Sequence, residues 1–251
     1  MMHSQLQQAL AQRRAFKVIS GLSNRDANRV GAVVQAAAAG GATFVDIAAD
    51  PNLVALARKL TNLPVCASAV EAAALERAVE AGADAIEIGN FDSFYAQGYR
   101  FEADDVLALT RQTRERLPEA TLSVTVPHIL ALDEQAQLAE QLVAQGADLI
   151  QTEGGTSSTP ERSGTTGLIE KAAPTLAATY TIAQAVSVPV LCASGLSRVT
   201  APMAIAAGAS GVGIGSAINQ LDSEVAMVAA VRDVAEALTG CSAPHLQARE
   251  P

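Results

Sequence analysis

Hydrophobic positions along this chain alternate between two patterns: short β-branched runs of four to six residues, and longer alanine- and leucine-rich stretches with helical spacing. The short runs are Phe16–Ser20, Thr43–Ala48, Pro64–Ser68, Asp84–Ile88, Thr121–Val126, Asp148–Thr152, Val188–Ala193 and Gly211–Ile214. Strands that alternate with helices throughout predict repeated βα units and a parallel sheet. Eight such units in 251 residues predict an α/β fold, a (β/α)8 TIM barrel of eight parallel strands in a single domain. The expected division is an N-terminal helix over 1–14 closing one end, the barrel over 15–239, and a flexible tail over 240–251.

Four helical patterns run into Gly-Ala, at Gly41-Ala42, Gly82-Ala83, Gly146-Ala147 and Gly208-Ala209. Glycine there suits a left-handed helix C-cap. Aligned on Gly-Ala, the copies place Asp46, Glu87, Gln151 and Gly213 at one position of strands two, four, six and eight. A barrel interior is layered, each layer drawing on alternate strands, so these four are expected to meet. Alternation turns Val45, Ile47, Ile86 and Ile88 toward the helices and Ser123 and Thr125 inward; Leu149 and Ile150, both apolar, leave strand six open. Lys17, between outward Phe16 and Val18, also points inward, and a buried ammonium requires a carboxylate or a ligand. Asp46, on the neighbouring strand, is the expected partner. Such a cluster serves either as a structural plug or as chemistry. Glu87 and Gln151 stand near the C-terminal strand ends, where barrel enzymes keep their sites.

Ser194 and Gly195 close strand seven, and Gly213, Gly215 and Ser216 form strand eight and its exit, the two places where barrels commonly bind phosphate. Bare glycine backbone lets N–H groups approach an anion, although glycine in a strand also serves close packing. After strand six, Gly154 and Gly155, candidate ligand-binding glycines, open a Gly/Ser/Thr-rich stretch to residue 167 that reads as a mobile lid or a disordered segment, with Arg162 giving it a charge suited to an anionic ligand. Residues 91–101 hold Phe91, Phe94, Tyr95, Tyr99 and Phe101, which suit a cover over the mouth or a subunit contact. His128, past strand five, and Glu153, past strand six, are candidates for a second proton relay; a solvent-facing or capping role is the alternative for His128.

Several words of the sequence resemble the hypothetical chloroplast reading frame twenty-three family of cyanobacteria and algal plastids. They are Lys17-Val18-Ile19-Ser20-Gly21-Leu22, Phe44-Val45-Asp46-Ile47-Ala48, Ile86-Glu87-Ile88-Gly89-Asn90-Phe91-Asp92-Ser93-Phe94-Tyr95, Leu122-Ser123-Val124-Thr125-Val126-Pro127-His128, Gln151-Thr152-Glu153-Gly154-Gly155 and Gly167-Leu168-Ile169-Glu170-Lys171-Ala172. The resemblance spans about residues 16–219 and implies a barrel and a cyanobacterial origin, without a particular reaction. More distantly, Ile86-Glu87-Ile88-Gly89 with Asp92-Ser93 is similar to the tryptophan synthase α-subunit, which implies Glu87 as a general acid/base. The Ala-Ser-Gly and Gly-x-Gly-Ser pair is similar to phosphate-binding barrels, including thiazole synthase and flavin mononucleotide oxidoreductases.

A net charge of −9 and a pI of about 4.8 leave no cationic footprint for nucleic acid. Apolar runs too short for a membrane span and a start without a secretory core predict a cytoplasmic protein, or a stromal one in an alga or plant. Three widely spaced cysteines, Cys66, Cys192 and Cys241, match neither a disulfide framework nor a zinc site. The outer helices, 222–238 above all, suit packing into a homo-oligomer.

The leading functional expectation is an aldolase-type barrel that binds a small phosphorylated metabolite, or a phosphate or sulfate ion, and carries out acid/base lyase, isomerase or synthase chemistry. Glu87 is then the acid/base, Lys17 its charge partner or a Schiff-base nucleophile, Asp46 the orienting carboxylate and Gln151 part of the same layer. Two alternatives keep the pocket: an FMN-binding oxidoreductase with Lys17 near the reduced flavin, and a non-catalytic phosphate sensor or regulatory protein. No dedicated metal spacing is visible; Mg²⁺ on Asp46, Glu87 and Glu153 with substrate oxygens is the remaining metal option.

Overall fold

In the computed structural model, which describes residues 2–95, 97–155 and 160–240, eight parallel strands close into a barrel in chain order. They are β1 (Ala15–Gly21), β2 (Phe44–Ala48), β3 (Val65–Ala69), β4 (Ala85–Ile88), β5 (Leu122–Thr125), β6 (Leu149–Gln151), β7 (Val190–Ala193) and β8 (Gly211–Ile214). The helices are α1 (Ser4–Ala11), α2 (Ala27–Gly40), α3 (Pro51–Leu60), α4 (Ala72–Glu80), α5 (Asp92–Tyr95), α6 (Ala103–Arg116), α7 (Leu132–Ala144), α8 (Gly164–Ala185), α9 (Ala201–Ala206), α10 (Ser216–Asn219) and α11 (Glu224–Thr239). The expected TIM barrel is therefore the fold. Among the described residues, no helix is long and apolar enough to cross a membrane. Cys241 and the segment from 241 onward lie outside the described residues.

The Gly-Ala repeat has a local cause at both of its ends. Gly41, Gly82, Gly146 and Gly208 all take positive φ, between 89° and 116°, where a Cβ is strained and glycine is not. The residue after Gly-Ala ties the turn to the preceding strand: Asp84 accepts the Val65 amide at 2.8 Å, Asp148 the Leu122 amide at 2.8 Å, and Thr43 Oγ1 the Phe16 amide at 3.0 Å. Arg58 and Arg114 then pair with Asp84 and Asp148 at 2.8 and 3.1 Å. The recurring Gly-Ala-Asp is thus a strand-entry cap at the N-terminal face, away from the site.

Outward strand residues such as Val18, Val45, Ile47, Ile86, Ile88, Val124 and Val212 are fully buried against the helices. Inside, the bottom layer is apolar: Ala15, Phe44, Cys66, Ala85, Leu149 and Leu191 pack with Leu6 and Leu10 of α1. Leu149 therefore points inward, which turns Gln151 inward too and settles the parity of strand six. Arg13 holds α1 in place by donating to the carbonyls of Ala209 at 3.1 Å and Ile205 at 2.7 Å.

Candidate functional site

Directly above that apolar floor lies a polar layer that is closed to solvent. Lys17, Asp46 and Glu87 are each 0% exposed. The register pairs Asp46 with Ile19 rather than with Lys17, and Asp46 Oδ1 accepts the Ser68 hydroxyl. Lys17 instead crosses the interior to Glu87, with Nζ 2.6 Å from Oε2, so the expected Lys17–Asp46 pair is replaced by Lys17–Glu87. Ser123 Oγ donates to the same Glu87 oxygen at 2.8 Å. Gln151 Nε2 donates to Glu87 Oε1 at 2.8 Å and to Thr125 Oγ1 at 3.1 Å. Glu87 and Gln151 meet as the layer rule requires, and Gly213 completes that layer: a Cβ there would lie 3.5 Å from Gln151 Oε1 and 3.0 Å from the Ala193 Cβ.

Burial alone would lower the Lys17 pKa, but the charges of Glu87 and Asp46 outweigh it and hold the ammonium above its ordinary range. One cation faces two carboxylates. The excess falls on Asp46, whose pKa burial, with the Glu87 charge added, raises to about 7. Burial likewise keeps Cys66 and Cys192 as thiols, both free and buried. An acid whose folded pKa is raised binds its proton more tightly in the folded state. Its contribution to stability is therefore present at low pH and is lost as pH rises from about 4 toward 7. Asp46→Asn is expected to flatten that dependence and to exceed wild type above pH 7 by of order 1–3 kcal/mol. Urea unfolding across pH 4–8 checks it, and a steeper decline in the variant would reverse the assignment.

Above the sealed layer, at the C-terminal face, opens a cleft of about 530 Å³. Its wall includes Ser20, Asn24, Asn90, Asp92, Gln151, Glu153, Ser194, Gly195, Gly215 and Ser216; Lys17, Asp46 and Glu87 are not among its lining residues. Gln151 belongs to both, with its amide nitrogen on Glu87 below and a face on the cleft above. Three buried polar atoms on the cleft wall lack a partner: Asn90 Nδ2, Gln151 Oε1 and Ser194 Oγ. Asn90 and Ser194 also hold positive φ, 68° and 77°, at the exits of β4 and β7. Non-glycine residues in this conformation cost energy and collect at functional sites.

The ends of β7 and β8 supply donors. Among the described residues, no acceptor meets the amides of Gly195, Leu196, Ser216 or Ala217, whereas Ile218 and Asn219 donate to the Gly215 carbonyl. Gly195, at φ 68°, has no room for a side chain, since a Cβ would stand 2.5 Å from the Lys171 carbonyl oxygen. Gly154 and Gly155 are not among the lining residues and stand against Thr175 and His128. Helix α8 begins at Gly164, so the expected lid stretch ends there; residues 156–159 of it lie outside the described residues. Arg162 is 70% exposed and 3.5 Å from Glu170.

A second polar group forms at the rim. His128 Nδ1 lies 3.1 Å from Glu153 Oε2 and 3.2 Å from Asp92 Oδ1, and the Asp92 amide donates to Glu153 Oε1 at 2.9 Å. The Glu153 hydrogen bond raises the His128 pKa despite burial. The imidazole is thus held between two carboxylates with 22% of the side chain still exposed, and the N-cap of the following helix is Ala131 rather than His128. Glu153 stands with it, apart from Asp46 and Glu87, so the three carboxylates of the Mg²⁺ option do not form one ligand set. Asp92 and Asn90 are the site residues that motif reading did not single out; the signal available was a Gly-Asn pair at a strand exit, where asparagine tolerates positive φ. Phe91 and Phe101 pack on each other at 4.6 Å in the core cluster that includes Val106 of α6, and Phe94 packs on Phe101 at 5.6 Å; none of the five loop aromatics lines the cleft, and Tyr99 is exposed.

Residues 2–243 match the family described as protein of unknown function (DUF561). The chain belongs to this family. It is 44% identical over 238 residues to the uncharacterized protein ycf23 of Cyanophora paradoxa, covering 93% of this chain and 96% of that one. This is the reading-frame family whose words surround Glu87 and Gln151. Among solved structures, thiamine phosphate pyrophosphorylase from Pyrococcus furiosus is similar with a TM-score of 0.61, 17% identity, and coverage of 92% of this chain and 98% of that one. For 3-hexulose-6-phosphate synthase the TM-score is 0.62 at 15% identity, covering 89% and 99%. At such identities the likeness is one of fold.

Proposed function

We propose that the cleft binds a small phosphorylated metabolite and that the protein is an acid/base enzyme of the lyase, isomerase or synthase kind. The observation that carries this reading is the set of three unpartnered amides on the cleft wall at the exits of β7 and β8, those of Gly195, Leu196 and Ser216, beside the left-handed Ser194–Gly195 backbone. Amides without acceptors on one cleft wall are available to an anion, and they bind it without the desolvation cost of a buried lysine. The partnerless Asn90 Nδ2, Gln151 Oε1 and Ser194 Oγ await the polar remainder of the ligand. Names of solved barrels of this fold, thiamine phosphate pyrophosphorylase and 3-hexulose-6-phosphate synthase, refer to phosphorylated compounds, which agrees with this reading.

Proton transfer is assigned to the Asp92–His128–Glu153 face, since Glu153 lines the cleft and Glu87 does not. Lys17, Asp46 and Glu87 then act from beneath, fixing Gln151 and the electrostatics of the floor. A Schiff base at Lys17 is disfavoured, because a nucleophilic amine must be neutral and this one is held protonated. No aromatic ring lines the cleft among the described residues to stack on a flavin, which favours the smaller ligand.

The test is a thermal-shift panel of phosphorylated metabolites, inorganic phosphate and FMN. A ligand at a hundredfold its Kd contributes about 2.7 kcal/mol, which for a domain of this size raises Tm by about 5–10 °C. Ser216→Asp, which sets a carboxylate beside those amides, is expected to abolish the shift. No response to any phosphorylated compound in wild type, or an equal response in Ser216→Asp, overturns the reading; bound FMN absorbance selects the flavin alternative.

A further inference from the structure

The ionisable side chains on the cleft wall are both carboxylates. Asp92 and Glu153 line it, and among the described residues no lysine or arginine does. An anionic ligand entering there meets two carboxylates beside a single imidazole, that of His128, so a divalent cation held by the same three groups is the stronger electrostatic complement. Gln151, 2% exposed, faces the same cleft with Oε1 unpartnered, which also points to an absent polar occupant.

The carboxylates come with a nitrogen donor, already in place. His128 Nδ1 is 3.1 Å from Glu153 Oε2 and 3.2 Å from Asp92 Oδ1. Donor atoms about 2.1 Å from an ion, at tetrahedral or octahedral angles, stand about 3.0–3.4 Å apart. Two edges of a coordination polyhedron are therefore preformed. Outer contacts orient the set: the Asp92 amide binds Glu153 Oε1 at 2.9 Å and leaves Oε2 directed at the imidazole, and the Tyr95 ring packs edge-on to His128 at 5.2 Å. Gly155 makes room for the imidazole, since a Cβ there would lie 3.0 Å from Nε2. The three residues come from the loops after β4, β5 and β6, so the barrel itself assembles the set.

We infer that Asp92, His128 and Glu153 form a divalent-cation site, with Asp92 Oδ1, His128 Nδ1 and Glu153 Oε2 as ligands. One nitrogen and two oxygens suit a manganese(II), iron(II), cobalt(II) or zinc ion better than calcium or magnesium. Three protein ligands leave coordination positions open toward the cleft for water and a ligand oxygen. The inference rests on the proposed function and deepens it: the proton-moving group at this face is an ion-bound water, and the ion polarises the ligand oxygen it meets.

The experiment titrates chelator-treated full-length protein with Mn²⁺ and Zn²⁺ in the absence of any phosphorylated compound. Calorimetry, and the Mn²⁺ electron paramagnetic resonance signal, read the binding. One equivalent is expected in wild type, with affinity weakened about tenfold or more in Glu153→Gln, His128→Ala and the isosteric Asp92→Asn. Circular dichroism verifies that each variant is folded. No saturable binding in wild type, or undiminished binding in all three variants, overturns the site. The phosphate reading fails separately, by the absence of a thermal shift with phosphorylated compounds in both chelated and Mn²⁺-loaded protein, so either result stands without the other.

Discussion

Lys17→Met is expected to cost about 3–5 kcal/mol at pH 8, among the largest losses any single substitution in this protein will show. The thioether fills the same space between β1 and β4, so packing is not what is lost. Removing the ammonium leaves Asp46 and Glu87 facing each other in a layer with no access to water. Both must then take up protons or be held charged without a counter-ion. Lowering the pH supplies the protons, and part of the stability is expected to return at pH 5. The companion variant sharpens the test. Glu87→Gln leaves one ammonium and one carboxylate, so Asp46 becomes the counter-ion of Lys17 and the cost falls to about 1–2 kcal/mol, that of rearranged hydrogen bonds. Urea denaturation at both pH values compares the two. Equal losses, or a Lys17→Met deficit that does not shrink in acid, would mean that the layer is not organised around one cation shared by two carboxylates.

Gly89→Ala is expected to destabilise by about 2–4 kcal/mol and to remove the thermal response to phosphorylated compounds. At φ 147°, Gly89 is where β4 leaves the barrel above Glu87. A Cβ would stand 2.1 Å from Thr125 Oγ1 and 2.3 Å from Thr125 Cβ, on the neighbouring strand. The methyl group must push β4 and β5 apart or force the turn out of its conformation. Either movement disturbs Thr125, which accepts from Gln151, and displaces Asn90 and Asp92, which Gly89 delivers to the cleft wall. The stability loss is read by denaturation and the functional loss by the metabolite panel. A variant with wild-type stability and an intact response would show that β4 has slack at its exit.

How far these sites were legible follows from the range of the interaction behind each one. Gly41, Gly82, Gly146 and Gly208 announce helix ends because a left-handed cap depends on one residue and its immediate neighbours. Asp46, Glu87 and Gln151 could be assigned to one layer because side-chain alternation and the layering of a closed barrel are general rules. The pairing of Lys17 was not legible: it depends on the β1–β2 register, which sets Asp46 beside Ile19, and on a lysine chain long enough to cross to β4. Nor was the sealing of Glu87, because it depends on the packed position of Gln151, which bonds Glu87 and Thr125 and itself lines the cleft.

By itself, then, the sequence determined the eight βα units, the closed barrel they imply, the inward polar layer and the glycine-lined exits of β7 and β8. All of these follow from periodicity and local backbone preference. Tertiary structure alone decided which charges pair, which are shut from water, and that Asp92, His128 and Glu153 converge although His128 and Glu153 are 25 residues apart and Asp92 and Glu153 are 61 apart. Those outcomes depend on distances of a few ångströms across the barrel, and such distances exist only once the sheet has closed.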